Sequence, residues 1–256
     1  MAQPLAYIHP DAKIGNNVTI EPFAVIDGDV EIGDGTFIGA NAVIRDGARI
    51  GRDCRIFPGA VIAGIPQDLK FKGEKTVAVI GDRTTLRECV TVNRGTASKG
   101  HTLVGSDCLI MAYSHVAHDC EVGNGVIISN ASQLAGEVIV DDFAVIGGGS
   151  LIHQFCHIGS YIMMQGGALV NKDIPPFVLA AREPISYTGV NVIGMKRRGF
   201  TNEQIAEAQE VYRLLYKNGL NITEAVSNIE AAMAPSPIRD LILNFIKGST
   251  RGILRG

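Results

Sequence analysis

The chain has 256 residues, 46% of them hydrophobic and 19% charged, with a formal net charge of −3. That balance suits a globular chain and argues against a dedicated nucleic-acid binder, which needs a basic footprint. No run approaches the roughly 18 apolar residues of a membrane-spanning helix, and Met1-Ala2-Gln3-Pro4 opens without the basic and apolar stretches of a signal peptide, so a cytoplasmic location is expected.

From Ile14 to Ile62 an isoleucine stands at every sixth position, and the same phase runs from Ile80 to Val170 in Ile, Leu, Val and Met. A period of six fits neither a helix, at 3.6, nor an alternating strand, at 2. It marks a β-helix of six-residue units, each one short strand and a turn, with three units closing a coil of about 18 residues. Between 14 and 170 the only slots without an aliphatic residue are Asp68, Glu74 and Ser98. Four positions after each slot the residue is mostly small, as at Ala24, Ala42, Ala60, Ser114 and Ser132. Slot and small residue share strand parity, so both are expected inside. Glycine often follows the slot directly, as at Gly33, Gly51, Gly105 and Gly123, which suits a sharply bending corner. General chirality rules favour right-handed crossovers in such a coil.

Four cysteines (Cys54, Cys108, Cys120, Cys156) occupy the small inward position and read as core fillers. Cys89 lies elsewhere, and no CxxC pair suggests a metal or redox centre. Unpaired thiols fit a reducing compartment.

Two polar excursions, near 66–78 and 97–102, interrupt the lattice, and Pro175-Pro176 ends it. Residues 177–193 read as an irregular linker. Beyond it the period becomes helical, with a capping box at Thr201 and Gln204, a stop at Gly219, a second start near Asn221 with Glu224, and a third at Ser236-Pro237. The expected organisation is a β-helix domain over 1–190 and a helical domain over 191–256 that covers one open end of the solenoid. Flat outer faces bearing apolar residues predict side-by-side packing in a cyclic trimer.

Repeat arithmetic places His118 two residues after the slot at 116, at a corner, with Gly136 and Gln154 at the same corner on the next two coils, on rungs about 4.8 Å apart. His115 precedes that corner on the strand, and His153 adjoins Gln154. The same arithmetic, counting 68, 74 and 98 as slots, opens both excursions from the corner of His118. Loops beside a histidine column make a cleft on a rigid scaffold. Ser114-His115-Val116-Ala117-His118-Asp119-Cys120 is therefore the candidate catalytic block, and Lys196-Arg197-Arg198, close to Asn191, a candidate anion site.

Several blocks are similar to those of the UDP-N-acetylglucosamine O-acyltransferases that begin lipid A synthesis. They are Gln67-Asp68-Leu69-Lys70, His115 to Cys120, Leu134-Ala135-Gly136, Ile152-His153-Gln154-Phe155, Gly189-Val190-Asn191, Lys196 to Phe200 and Ser249 to Ile253. The resemblance spans nearly the whole chain. It implies a homotrimer of left-handed parallel β-helices with a C-terminal helical domain and active sites between subunits. The implied donor is a β-hydroxyacyl chain on the phosphopantetheine of acyl carrier protein, and the acceptor is the 3-hydroxyl of UDP-N-acetylglucosamine. No metal or separate cofactor is implied. By the same resemblance His118 is the general base, Asp119 its orienter, and the Gly136 N–H the oxyanion donor. Asp68, Lys70, His115, His153 and Gln154 would hold the sugar and acyl chain, Asn191, Arg197 and Arg198 the phosphates, and Gly166 would set acyl length. The chain departs from the pattern at Glu137, Asn93 and Ile193. Competing readings are an N-acyltransferase on a UDP-amino sugar, a gamma-class carbonic anhydrase with zinc held between subunits, and a non-enzymatic solenoid. The irregular loops and histidines disfavour the last.

Overall fold

The computed structural model describes residues 4–217 and 219–256; Met1-Ala2-Gln3, part of the stretch behind the signal-peptide expectation, lies outside them. Short strands, most of two residues, wind into a triangular prism whose three faces pair in parallel along the coil. The first face starts at Tyr7–Ile8 and ends at Leu169–Val170, the second runs from Lys13–Ile14 to His157–Ile158, and the third starts at Thr19–Ile20. The coil is left-handed. The right-handed preference of crossovers originates in strand twist, and strands of two residues have little twist to express.

The periodic residues fill the prism. Ile26, Ile38, Ile44, Ile56, Ile62, Leu86, Val116 and Leu134 are fully buried, as are the small partners Ala24, Thr36, Ala42, Cys54, Cys120 and Ser132. Each buried aliphatic side chain stabilises by about 1.5–3 kcal/mol relative to exposure.

The glycines after the slots have a different cause from the one expected. None of Gly33, Gly51, Gly105 or Gly123 has positive φ. A Cβ on Gly33 would lie 2.6 Å from the Gly51 carbonyl carbon, and one on Gly105 2.6 Å from the Gly123 oxygen. These glycines let neighbouring coils stack closely. The left-handed conformation falls two residues later, at the last turn residue, and other residues often adopt it: Phe23, Tyr113, Asp119, Glu137, Phe143 and Phe155 all have φ between 60° and 65°.

The lattice arithmetic also needs correction across the excursions. Val61–Gly64 pairs with Thr91–Asn93, which pairs with His115–Val116, so the slots at 62, 92 and 116 are three successive rungs of the first face. Asp68, Glu74 and Ser98 are not rungs. Val61–Gly64 passes through residues 65–76 to Val77–Ile80 on the second face, and Thr91–Asn93 passes through 94–100 to His101–Val104. Both excursions therefore leave the corner between the first and second faces, on the two rungs directly before that of His118.

Residues 177–193 are not an irregular linker. Val178–Ala181 continues the third face and pairs antiparallel with Ser186–Val190. Among the described residues four helices follow: α1 (Val192–Arg197), α2 (Asn202–Lys217), α3 (Ile222–Ala232) and α4 (Pro237–Gly248). Reciprocal capping bonds join Thr201 with Gln204 and Asn221 with Glu224, and the Ser236 side chain accepts from the Arg239 N–H. Asp173 ties this end to the coil: its carboxylate accepts from the His157 N–H and the Ser249 hydroxyl.

Candidate active site

His118 and Asp119 are the two turn residues of one corner. The φ of 60° at Asp119 folds its side chain back beside that of His118, a pairing that two successive strand residues would not make. His118 Nδ1 lies 2.8 Å from Asp119 Oδ2; the imidazole is 18% exposed and the carboxylate fully buried. Asp119 accepts three further bonds from the excursion 94–100: from the Thr96 N–H at 2.9 Å, the Thr96 hydroxyl at 2.7 Å and the Lys99 N–H at 3.2 Å. Burial raises the pKa of this carboxyl, but the donors from Thr96 and His118 outweigh it and hold the carboxyl below its ordinary value. An ionised Asp119 can only accept, so the proton of a neutral His118 sits on Nδ1 and the lone pair on Nε2.

Nε2 is adjacent to Gly136, one rung on. A Cβ at 136 would come within 2.6 Å of His118 Cε1 and 2.7 Å of Nε2. Among the described residues nothing accepts from the Gly136 N–H. At the corner between the second and third faces four of the corresponding N–H groups, those of Asn16, Arg52, Ser106 and Asn124, are occupied, each donating to a side-chain oxygen on the next coil. The corner thus joins an available imidazole lone pair to an available backbone donor. A groove of about 420 Å³ runs over them, lined among others by Gln67, Asn93, His115, Gln133, Leu151 and Gln154.

His115 faces out from the same rung. Its Nδ1 is 2.7 Å from the Thr91 hydroxyl, and burial lowers its pKa, so it stays neutral near pH 7. His153 and Gln154 are exposed two rungs on from His118, with His153 Nδ1 turned to the Gln154 carbonyl. Asp68 Oδ1 accepts from the Lys70 N–H within the first excursion, and the Lys70 side chain is exposed. Ser98 of the second excursion lies 3.3 Å from the Glu137 carboxylate. Burial pushes the thiol of Cys120 up to about 12, so this neighbour of Asp119 stays protonated and is no nucleophile.

The remaining candidates lie at the other two corners of the same chain. Asn191 caps α1 by accepting from the Gly194 N–H and donates to the Tyr161 carbonyl, at the corner between the second and third faces. The Arg198 guanidinium stacks 4.3 Å above the Phe143 ring at that corner, while Arg197 is exposed on α1. Gly166 occupies the corner between the third and first faces, where a Cβ would lie 2.9 Å from the Gly148 oxygen. One chain therefore brings His118, Asp119, Gly136, His115, His153, Gln154 and the two excursions together, and leaves Arg198 and Gly166 apart from them. Sequence reasoning missed Thr96 and Lys99, which lie 23 and 20 residues from Asp119; the one available signal was an excursion beside the histidine corner. Among the described residues no group of three or more His, Cys, Asp or Glu could hold a metal ion, and no helix is long and apolar enough to cross a membrane.

Known proteins share this arrangement. A family model described as bacterial transferase hexapeptide (six repeats) matches residues 29–64 and 101–136, and one described as UDP N-acetylglucosamine O-acyltransferase, domain 2, matches 173–254. The acyl-[acyl-carrier-protein]--UDP-N-acetylglucosamine O-acyltransferase of Janthinobacterium sp. (strain Marseille) is 46% identical over 261 residues, covering 100% of this chain and 99% of the relative. The crystal structure of the Bacteroides fragilis 9343 UDP-N-acetylglucosamine acyltransferase superposes with a TM-score of 0.98 at 55% identity, covering 100% of both chains. That of the Francisella novicida enzyme gives 0.97 at 39%, covering 100% of this chain and 94% of the other. These relatives support neither the N-acyltransferase nor the carbonic anhydrase reading. With sequence likeness over its full length, the same coil and the same helical end, the chain belongs to the UDP-N-acetylglucosamine O-acyltransferase family.

Proposed function

We infer that the protein transfers a β-hydroxyacyl chain from the phosphopantetheine of acyl carrier protein to the 3-hydroxyl of UDP-N-acetylglucosamine, the first step of lipid A biosynthesis. The observation that carries this is the free Nε2 of His118 beside the free N–H of Gly136, at a groove, with the tautomer set by buried Asp119.

His118 Nε2 takes the proton of the 3-hydroxyl as that oxygen attacks the thioester carbonyl. A C–O bond forms, and the carbonyl electron pair moves to oxygen, where the Gly136 N–H stabilises it. Collapse re-forms the carbonyl and breaks the C–S bond. The imidazolium then gives its proton to the leaving thiolate. Asp119 opposes the positive charge of the imidazolium while it lasts. General-base assistance of this kind contributes roughly 10²–10⁴-fold. The route uses no metal and no cofactor beyond the arm that carries the donor. Asp68, Lys70, His115, His153 and Gln154 hold the sugar and the acyl chain, Arg197 and Arg198 the phosphates with Asn191 fixing their helix, and Gly166 borders the end of the acyl groove.

The proposal includes a homotrimer. Its support is the separation of these groups over three corners of one chain: Arg198 meets a substrate at His118 only from a second copy. The first and third faces expose Leu151, Leu169, Met163 and Leu179, whereas the second carries the ion pairs Lys13–Glu31, Arg49–Asp29 and Lys99–Glu121. The first face of one copy packed on the third face of the next gives a closed ring. The working division of the chain is at residue 190, where the antiparallel strand gives way to helix, and its working location is the cytoplasm, where the five free cysteines stay reduced.

The test is incubation with UDP-N-acetylglucosamine and a panel of β-hydroxyacyl carrier proteins, read by mass spectrometry. A singly O-acylated nucleotide sugar is expected. Absence of product with every donor, or acylation only of an amino-sugar acceptor, overturns the assignment.

A further inference from the structure

We propose that Thr96 is a positioning residue for the reaction, acting on His118 through Asp119; this rests on the general-base reading of His118.

The excursion 94–100 replaces a plain turn on the rung before His118 and delivers its donors to one buried carboxylate. Thr96 is itself buried, at 8% exposure. Its hydroxyl has a fixed direction. The Ser98 N–H donates to Thr96 Oγ1 at 3.1 Å, so the hydroxyl proton is left for Asp119 Oδ2 at 2.7 Å. Oδ2 is the oxygen that receives His118 Nδ1. Oδ1 takes the Thr96 and Lys99 N–H groups. The carboxylate is therefore held on both oxygens and cannot rotate away from the imidazole. The Thr96 hydroxyl competes with His118 for Oδ2 and sets how strongly that oxygen accepts. On the far side, Lys99 pairs with Glu121 at 2.9 Å and the Thr102 hydroxyl accepts from the Asp119 N–H at 2.8 Å, so the excursion is pinned beyond the carboxylate as well.

Thr96→Val keeps the shape and removes the donor. With Oδ2 then accepting from His118 alone, the imidazolium is better stabilised. The acid limb of kcat/KM against pH should move upward by half a unit or more, about a threefold change in proton affinity. The kcat should nevertheless fall about tenfold, with KM for UDP-N-acetylglucosamine unchanged, because Oδ2 is no longer held in line with His118 Nδ1 and the imidazole loses its fixed aim. Thr96→Ser should restore both. In an Asp119→Asn background Thr96→Val should cost less than twofold, because the residue acts only through Asp119. If Thr96→Val does not fold, Thr96→Ala removes the same donor with less bulk and should shift the acid limb likewise.

An unmoved acid limb, or an equal loss in both backgrounds, overturns the proposal and leaves Thr96 a structural anchor. Wild-type enzyme assayed in parallel separates this from the parent reading: wild type that transfers nothing refutes the activity, whereas active wild type with an unshifted Thr96→Val profile refutes the positioning role alone.

Discussion

A methyl group placed on Gly136 would lie 2.6 Å from Cε1 of His118. The bareness of one residue is a condition for the position of the other. His118→Ala should lower kcat/KM by at least about 100-fold without loss of helical or β signal in circular dichroism. Gly136→Ala should lower kcat by a similar order, about 10²-fold, because the added carbon displaces the imidazole and crowds the N–H. Near-wild-type turnover in either variant removes that residue from the mechanism.

Arg197→Ala and Arg198→Ala should raise KM more than they lower kcat, by about tenfold for Arg198, whose stacking on Phe143 also fixes its direction. Neither arginine lies at the corner of His118 in its own chain. Refolding His118→Ala together with Arg198→Ala should therefore restore, in mixed assemblies, a fraction of sites with the wild-type KM that neither variant has alone. No recovery, with mixed assemblies demonstrated by mass spectrometry, argues for a site contained in one chain.

Gly166→Met should shift preference toward shorter acyl donors by several carbons, each buried CH₂ being worth about 0.8 kcal/mol. The Gly148 oxygen lies 2.9 Å from the new Cβ, so a lower melting temperature should accompany the shift. An unchanged chain-length profile across the donor panel, with a lowered melting temperature, assigns Gly166 to coil stacking only.

His115 has a folded pKa below its unfolded value of about 6.5, because burial disfavours the imidazolium. The unfolded chain therefore binds its proton first. The stability this neutral histidine contributes is complete above about pH 6.5 and is lost as pH falls from there to the depressed folded value. Thermal melts should show a downward slope in that window that flattens in His115→Gln. An identical slope in the variant places the acid sensitivity elsewhere.

The prism was legible in the sequence because each inward aliphatic residue marks one rung. The excursions were harder to place. Ile62 to Ile80 and Val92 to Val104 are each a single step of the coil, yet both spans are multiples of six, so the phase passed through the loops unbroken and Asp68, Glu74 and Ser98 resembled missing rungs. The column of His118, Gly136 and Gln154 lies beyond both loops and was unaffected. The contact between His118 and Asp119 needed the left-handed turn, which sequence patterns signal poorly when Asp rather than Gly occupies it. The Thr96 contact needed the loop's own conformation, which no periodicity encodes. The hairpin at Val178–Ala181 and Ser186–Val190 was hidden by its bulge and by the break from the six-residue period.

The corners have one more consequence, for how the chain folds. An L-residue held left-handed costs about 1–2 kcal/mol, and Phe23, Tyr113, Asp119, Glu137, Phe143, Phe155 and Tyr161 all take that conformation here. A single coil has only its own few side chains to oppose the cost; a stack gains an interface with every coil added. Isolated coils should thus be unfolded, and order should spread from wherever several coils first associate. A fragment that ends within the stack would fray back from its cut edge, coil by coil, and would not melt as one unit.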